Sequence, residues 1–429
     1  MFVIKRVEID GFWGALNLRT DFHSNVNVFI GHNGTGKTTF INILQAILTV
    51  DLDLLQTLQF DQVRLWLISH KKPRKMTVEK LTEDITFDKI KFKIGRRLFY
   101  LPLLPKDSDF RRRRMPSKFI EQYSELREAV AKLVNISWLS VHRELLEEEY
   151  RETYTRRVST EKNPVDRRID ELMKRLTSYQ LQLESEMTKM SKDFQKQVLV
   201  TMLYNKNFDT FMIDKELKID LEQVKEGLLH AYDDLGALDP PVSKSIENHT
   251  KRIADSLFKV NRWQQKEGDR SITIDDIMPL SLLRRTQHIV KLSTDVEKRK
   301  RDLLRPLNTF LEIVRSFIKD KVFELNPSSN GEITIKKGKS NLDLEQLSSG
   351  EKQLVILLTE TLLQREKTFI FIADEPELSL HIEWQRKILS SINTLNPMSQ
   401  VIVATHSPEI AGAWSENIIP MEDIMYEQS

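Results

Sequence analysis

Apolar residues recur along this chain at three different spacings, and each spacing predicts a different kind of element. Short continuous runs occur at Val26 to Ile30, at Phe369-Ile370-Phe371-Ile372-Ala373 and at Val401-Ile402-Val403-Ala404. They read as strands of a parallel sheet buried on both faces, because a strand with one wet face alternates. Ile136-Ser137-Trp138-Leu139-Ser140-Val141 reads as a further buried strand. A helical spacing follows the first run at Phe40, Ile41, Ile43, Leu44 and Ile47, and returns at Leu354, Leu357, Leu358 and Leu362. Ile85, Phe87, Ile90, Phe92 and Ile94 approximate a period of two and predict a β-rich stretch. Val322-Phe323-Glu324-Leu325 and Ile333-Thr334-Ile335, parted by Pro327-Ser328-Ser329-Asn330-Gly331, predict a hairpin.

The third spacing is heptad. Ile169, Leu176, Leu183 and Met190 form one series, with Met173, Gln180, Met187 and Phe194 interleaved. Leu282, Ile289, Val296, Leu303, Phe310 and Phe317 form another. Such seams belong to coiled coils. Between them Leu217, Leu221, Val224, Leu228 and Leu229 predict an amphipathic helix that Asp239-Pro240-Pro241 breaks. Two seamed helices can return antiparallel as a short arm, about 45 Å long for about 30 residues. Two core helices capping a globular unit would carry the same pattern. The patterns divide the chain into residues 1–154, a helical insertion over 155–304, and 305–429. The expected class is α/β, with both chain ends building one unit.

Composition narrows this picture. The 429 residues are 40% hydrophobic and 30% charged, which suits an ordinary core with exposed helices. A net charge of +2 gives no global drive toward nucleic acid or membrane, so any such binding is local. Zero cysteines exclude disulfides, thiol catalysis and thiolate zinc sites. No apolar run approaches the roughly 20 residues of a bilayer span, and the first residues carry no signal segment. A cytoplasmic protein is expected.

Chemistry enters at Gly31-His32-Asn33-Gly34-Thr35-Gly36-Lys37-Thr38, set between the first buried strand and the first helix. This strand, glycine-rich loop and helix arrangement holds a nucleoside triphosphate. Glycines let successive N–H groups turn onto phosphate oxygens, and the helix N-terminus adds its positive dipole end. Gly31, Asn33, Gly34, Gly36, Lys37, Thr38 and Thr39 are the candidate contacts to ATP, with Lys37 reaching the β/γ-phosphates and Thr38 ligating Mg²⁺. Asp374-Glu375 ends the second buried strand, a place from which Asp374 would hold Mg²⁺ and Glu375 would polarise a water. His406, after the third, can donate to a γ-phosphate oxygen. Leu347-Ser348-Ser349-Gly350-Glu351 opens a helix as an N-cap, and its free N–H groups form an anion site that no phosphate in the same chain needs. Taken singly, these segments have plainer readings as a turn, a solvated strand end, a strand-end histidine and a cap. Together they point to phosphate chemistry.

In this order, phosphate loop, LSSGE phrase, Asp374-Glu375 and His406, the chain resembles the ABC-type ATPases, and among them the RecF and SMC relatives. The opening Phe2-Val3-Ile4-Lys5-Arg6-Val7-Glu8-Ile9-Asp10-Gly11-Phe12 looks like the first strand of RecF-like heads. Asp374-Glu375-Pro376-Glu377-Leu378-Ser379-Leu380-His381 is similar to the phrase of OLD-type ATPases found in bacterial defence systems. The resemblance implies a P-loop ABC-ATPase head assembled from both chain ends, with an inserted α-helical short coiled-coil arm. It also implies a homodimer or higher homo-oligomer closing head-to-tail on ATP, with Ser348 and Gly350 of one chain facing the γ-phosphate held by Lys37 of the other. Ser349 and Glu351 depart from the commonest transporter signature, and His381 stands where transporters place an Asp. Gln56, Gln59, Gln62 and Gln122 are all open as the family's glutamine loop.

Two functions follow. One is the sensor or scaffold of a two-component antiphage defence system that controls a separate, nuclease-like effector, as the resemblance to PARIS, Septu and OLD-family ATPases implies. The short stretch after His406 has no room for a nuclease domain, so cleavage is expected from another polypeptide. The alternative is a RecF/SMC-like DNA-binding repair or recombination ATPase. The basic run Arg111-Arg112-Arg113-Arg114, near Arg96, Arg97, Lys106 and Lys118, would suit DNA, an acidic DNA-mimic protein, or plain solvation. The heptads argue against a transporter subunit. Intact Lys37, Asp374 and Glu375 argue against a scaffold without turnover.

Overall fold

In the computed structural model the described residues are 1–69, 72–82, 88–103, 117–140, 163–205, 220–264, 273–326, 332–365, 367–378, 380–412 and 414–427. Arg111 to Arg114 and Lys106 lie outside them, as do Ile85, Phe87, Val141, Leu217 and the turn Pro327 to Gly331.

The N-terminal stretch supplies β1 (Val3–Phe12), β2 (Leu16–Asp21), β3 (Val26–Ile30), α1 (Lys37–Thr49), α2 (Leu52–Thr57), β4 (Gln62–Ser69), β5 (Lys72–Leu81), β6 (Lys89–Ile94) and β7 (Arg97–Pro102). Next come α3 (Ser117–Leu133) and β8 (Ile136–Ser140), then the helices α4 (Pro164–Thr201), α5 (Leu221–Asp234), α6 (Pro240–Gln264) and α7 (Ile274–Phe317). The chain continues with β9 (Val322–Asn326), β10 (Glu332–Lys337), β11 (Ser340–Leu342), α8 (Ser349–Leu363), β12 (Phe369–Asp374), α9 (Ile382–Leu395) and β13 (Ser399–Ala404). It closes with α10 (Pro408–Gly412), β14 (Ile418–Pro420), α11 (Met421–Ile424) and β15 (Met425–Glu427).

The continuous apolar runs pair as expected of strands covered on both faces. They form a parallel sheet in the order β14-β3-β13-β12-β8, so strands from both chain ends interleave. A second, antiparallel sheet runs β15-β2-β1-β4-β5-β6-β7. Helix α1 is buried over most of its length beyond the first turn. Its Phe40, Ile41, Ile43, Leu44 and Ile47 join one core with Val7 and Ile9 of β1, Val63 and Leu65 of β4, and Ile370, Ile372 and Ile402 of the parallel sheet. Each such side chain contributes about 2 kcal/mol on burial, and together they fix where α1 begins and hence where the glycine-rich loop ends. The predicted hairpin forms with Phe323 opposite Ile335, and β11 adds a third strand.

The chain divides into two compact units, Met1–Thr177 with Pro306–Ser429, and Ser178–Arg305. Within the second, helical unit, Phe194, Val198 and Ala231 pack with Ile289, Leu292 and Val296. A Cβ on Gly227 of α5 would stand 2.4 Å from Val290 of α7, so these helices meet through the missing side chain. The second seam differs from its predicted start: Leu282 is exposed, and Leu283 is buried against Ile253 and Leu257 of α6. A strict seven-residue count drifts relative to 3.6 residues per turn, and α6 takes the neighbouring position.

Candidate functional site

Because β3, β13 and β12 are adjacent and parallel, their C-terminal ends lie along one edge of the sheet. That edge is where open α/β sheets place ligands. Ile30 leads there into the loop, Asp374 into Glu375, and Ala404 into Thr405 and His406. The loop turns through left-handed glycines, Gly34 at φ 82° and Gly36 at φ 87°. Gly36 admits no side chain: a Cβ would stand 2.9 Å from the Phe12 ring and 3.0 Å from Trp13. Gly36 is also the cap of α1, and no side chain caps that helix. The first-turn N–H groups at Lys37, Thr38 and Thr39 are therefore left to an anion. Gly31, Asn33 and Gly34 line the same loop, with Asn33 and Gly34 exposed.

Lys37 is buried, and its Nζ donates to the carbonyls of Gly31 at 2.8 Å and His32 at 3.0 Å. Burial pushes its pKa down, against the pull of Glu375, Glu422, Asp374 and Glu377. One cation thus stands among four carboxylates. Burial pushes the Asp374 carboxyl up, as do the negative charges of Glu375 and Glu377, while the Thr38 hydroxyl that hydrogen-bonds to it and the Lys37 charge act the other way. Asp374 Oδ1 is buried and has no hydrogen-bond partner. An orphaned carboxylate oxygen beside a threonine hydroxyl suits a hard divalent cation. Among the described residues no cluster of three His, Cys, Asp or Glu forms a metal cage, so a cation here would complete its shell with phosphate and water.

Glu375 adopts a left-handed φ of 49°, and its N–H donates to the Ala404 carbonyl at 2.8 Å. A non-glycine residue in that region is strained. Here the bend carries the chain off the sheet and sets Glu375 Oε1 3.7 Å from His406 Nε2. The geometry therefore brings together Lys37, Thr38, Asp374, Glu375 and His406.

Ser348 and Gly350 are placed at the first turn of α8 instead. Ser348 accepts from the Glu351 N–H, and Glu351 accepts from the Ser348 N–H at 2.7 Å, a closed capping box. This accounts for a glutamate at the end of the LSSGE phrase: burial works against its charge, but Lys321 and the Ser348 donors hold its carboxyl below the usual range. His381 caps α9, accepting from the Glu383 N–H. Gln62 Oε1 accepts from Arg64, whereas Gln56, Gln59 and Gln122 stay open as the glutamine loop.

Three residues at the site escaped the sequence reading. Glu422 of α11 accepts from the His32 N–H at 3.2 Å. Trp13 stacks on Phe12 and donates from its indole to Thr39 Oγ1 at 3.3 Å. Glu377 accepts from three groups of the loop after β13. Only Glu377 had a signal, its place in the DEPELSLH phrase.

The family described as AAA ATPase domain matches residues 2–411. Among curated proteins, the retron Vc95 probable ATPase of Vibrio cholerae serotype O1 biovar El Tor is 27% identical over 120 residues, 25% of this chain and 23% of that protein. Septu protein PtuA of Bacillus thuringiensis is 30% identical over 116 residues, 24% of this chain and 27% of that protein. The chain thus spans only a quarter or so of the length of these relatives. Among solved structures, the Smc head domain with an extended coiled coil, bound to the C-terminal domain of ScpA and derived from Pyrococcus furiosus, is similar over 100% of this chain and 97% of that one, at 16% identity and a TM-score of 0.44. No helix among the described residues is long and apolar enough to cross a membrane.

Proposed function

The chain belongs to the AAA ATPase domain family, and we propose that within it this protein is an ABC-type ATPase that binds and hydrolyses ATP with Mg²⁺. The observation that carries this reading is the gathering of buried Lys37, orphaned Asp374 and strained Glu375 at one strand edge. Gly31, Asn33, Gly34, Gly36 and Thr39 cradle the phosphates, and Lys37 leaves its loop carbonyls for the β/γ-oxygens. Thr38 and Asp374 would hold Mg²⁺, which would supply positive charge against the phosphates. Glu375 orients the attacking water and accepts its proton. His406 donates to the γ-phosphate. Residues 1–154 and 305–429 act as the head, and 155–304 as the arm.

Ser348 and Gly350 of a second copy complete the site, since their anion position belongs to α8 and not to this chain's phosphate loop. Turnover per chain is therefore expected to rise with protein concentration through the dimer dissociation range. A rate per chain that stays constant on dilution would contradict the shared site.

At the level of the cell, the reading is the sensor or scaffold of a two-component antiphage defence system, acting on a separate effector in the cytoplasm. Similarity to a retron probable ATPase and to Septu protein PtuA supports it. Affinity purification from native cells with a hydrolysis-arrested variant is expected to recover a nuclease-like partner in the ATP-bound state. Recovery of DNA or repair proteins alone would favour the RecF/SMC-like reading instead.

A further inference from the structure

We infer that Glu377 is a positioning residue for this hydrolysis, tying the loop after β13 to the loop after β12 so that His406 stands against Glu375. The inference rests on the ATPase reading above. One carboxylate oxygen, Glu377 Oε1, accepts from Thr405 Oγ1 at 2.5 Å, from the His406 N–H at 2.9 Å and from the Ser407 N–H at 3.2 Å. Three consecutive residues of one loop thus converge on a single atom of another. Thr405 is fully buried, whereas the His406 ring is partly exposed, so the backbone is fixed and the ring is presented. Gln385 of α9 braces the same join: it accepts from Ser407 Oγ at 2.7 Å and donates to the Leu380 carbonyl at 2.9 Å.

The second oxygen, Glu377 Oε2, is buried without a partner. An idle buried carboxylate oxygen is costly, so the three bonds to Oε1 are the compensation that keeps the side chain there. Through them, Glu377 controls the register of His406 opposite Glu375, which a 3.7 Å separation leaves sensitive to small shifts. Displacing a reacting group by about 1 Å can cost about 10²-fold in rate.

The test is a mutant cycle on the full chain, with turnover and nucleotide affinity measured separately. Glu377→Ala is expected to lower kcat about 10- to 100-fold while ATP affinity stays within about threefold, because Lys37 keeps its loop contacts and loses only the weakest of the four carboxylate influences on it. Glu377→Gln keeps the Oε1 acceptor and should restore most of the rate. In a His406→Ala background, Glu377→Ala should add less than about twofold, since a residue acting through His406 has nothing left to position. Losses that multiply in the double variant, or an unchanged kcat in Glu377→Ala, would overturn the inference. Should Glu377→Ala fail to fold, Glu377→Asp, which withdraws the acceptor by one methylene, must give the same rate loss and the same non-additivity. Glu375→Gln runs in parallel. If the unsubstituted chain releases no phosphate from ATP, the ATPase reading itself fails; if Glu375→Gln is inactive while Glu377→Ala is normal, only the positioning role falls.

Discussion

Replacing Lys37 with alanine is expected to remove measurable nucleotide binding. Glu375, Glu422, Asp374 and Glu377 all act upon this ammonium. Losing a charge-assisted contact to phosphate removes about 1.5–3 kcal/mol, which alone weakens binding about 10- to 100-fold. The larger effect is what remains, a group of carboxylates facing a polyanion without the ammonium between them. Together these should push the dissociation constant beyond the range reached with micromolar nucleotide. Lys37 also donates to the Gly31 and His32 carbonyls, so a modest stability loss of about 1–2 kcal/mol should accompany the change. Anisotropy of a fluorescent ATP analogue measures the first effect, and a denaturant titration separates it from the second. Binding within threefold of the unsubstituted protein, in a folded variant, would dismiss the loop assignment.

How far the chain could be read from its sequence depended on how local each determinant is. The glycine-rich turn and the strands flanking it were legible because a buried parallel strand and a glycine-rich turn each declare themselves within ten residues. The Ser348 cap was legible for the same reason, although the role of Glu351 in closing it emerged only with the geometry. Glu422 was invisible: it reaches His32 across 390 positions, and a glutamate in a short polar helix carries no pattern. Likewise β14 and β15 are three-residue strands whose partners, β3 and β2, lie near the other end of the chain. Their pairing is set by tertiary packing and not by propensity. The slip from Leu282 to Leu283 has a related cause, since two-helix periodicity cannot anticipate that a third helix, α6, covers the seam. Trp13 was missed because its position depends on a left-handed φ of 57° in the turn after β1, which tryptophan rarely adopts.

Glu375→Gln is expected to arrest the cycle with ATP in place. The substitution is nearly isosteric, and the backbone contact that holds the residue, its N–H to the Ala404 carbonyl, does not involve the side chain. Thr38 and Asp374 are untouched, so Mg²⁺ coordination should persist. An amide cannot take the proton of an attacking water, and loss of a general base typically costs about 10²–10⁴-fold. Nucleotide affinity should hold or tighten, because one negative charge has left the group around Lys37. Retained γ-phosphate then has a structural consequence. In α8 the Ser348 N–H and hydroxyl are both engaged with Glu351, which leaves the first-turn N–H groups of Ser349 and Gly350 to meet an anion. A γ-phosphate that is never cleaved keeps that position filled, so dimers should accumulate where the unsubstituted protein cycles apart. Size-exclusion chromatography with light scattering, read together with bound nucleotide per chain, measures both outcomes. Normal turnover in the variant would remove Glu375 from the catalytic role. ATP retained on a monomer would leave Glu375 in place and locate the error in the assignment of Ser348 and Gly350 to a second subunit's site.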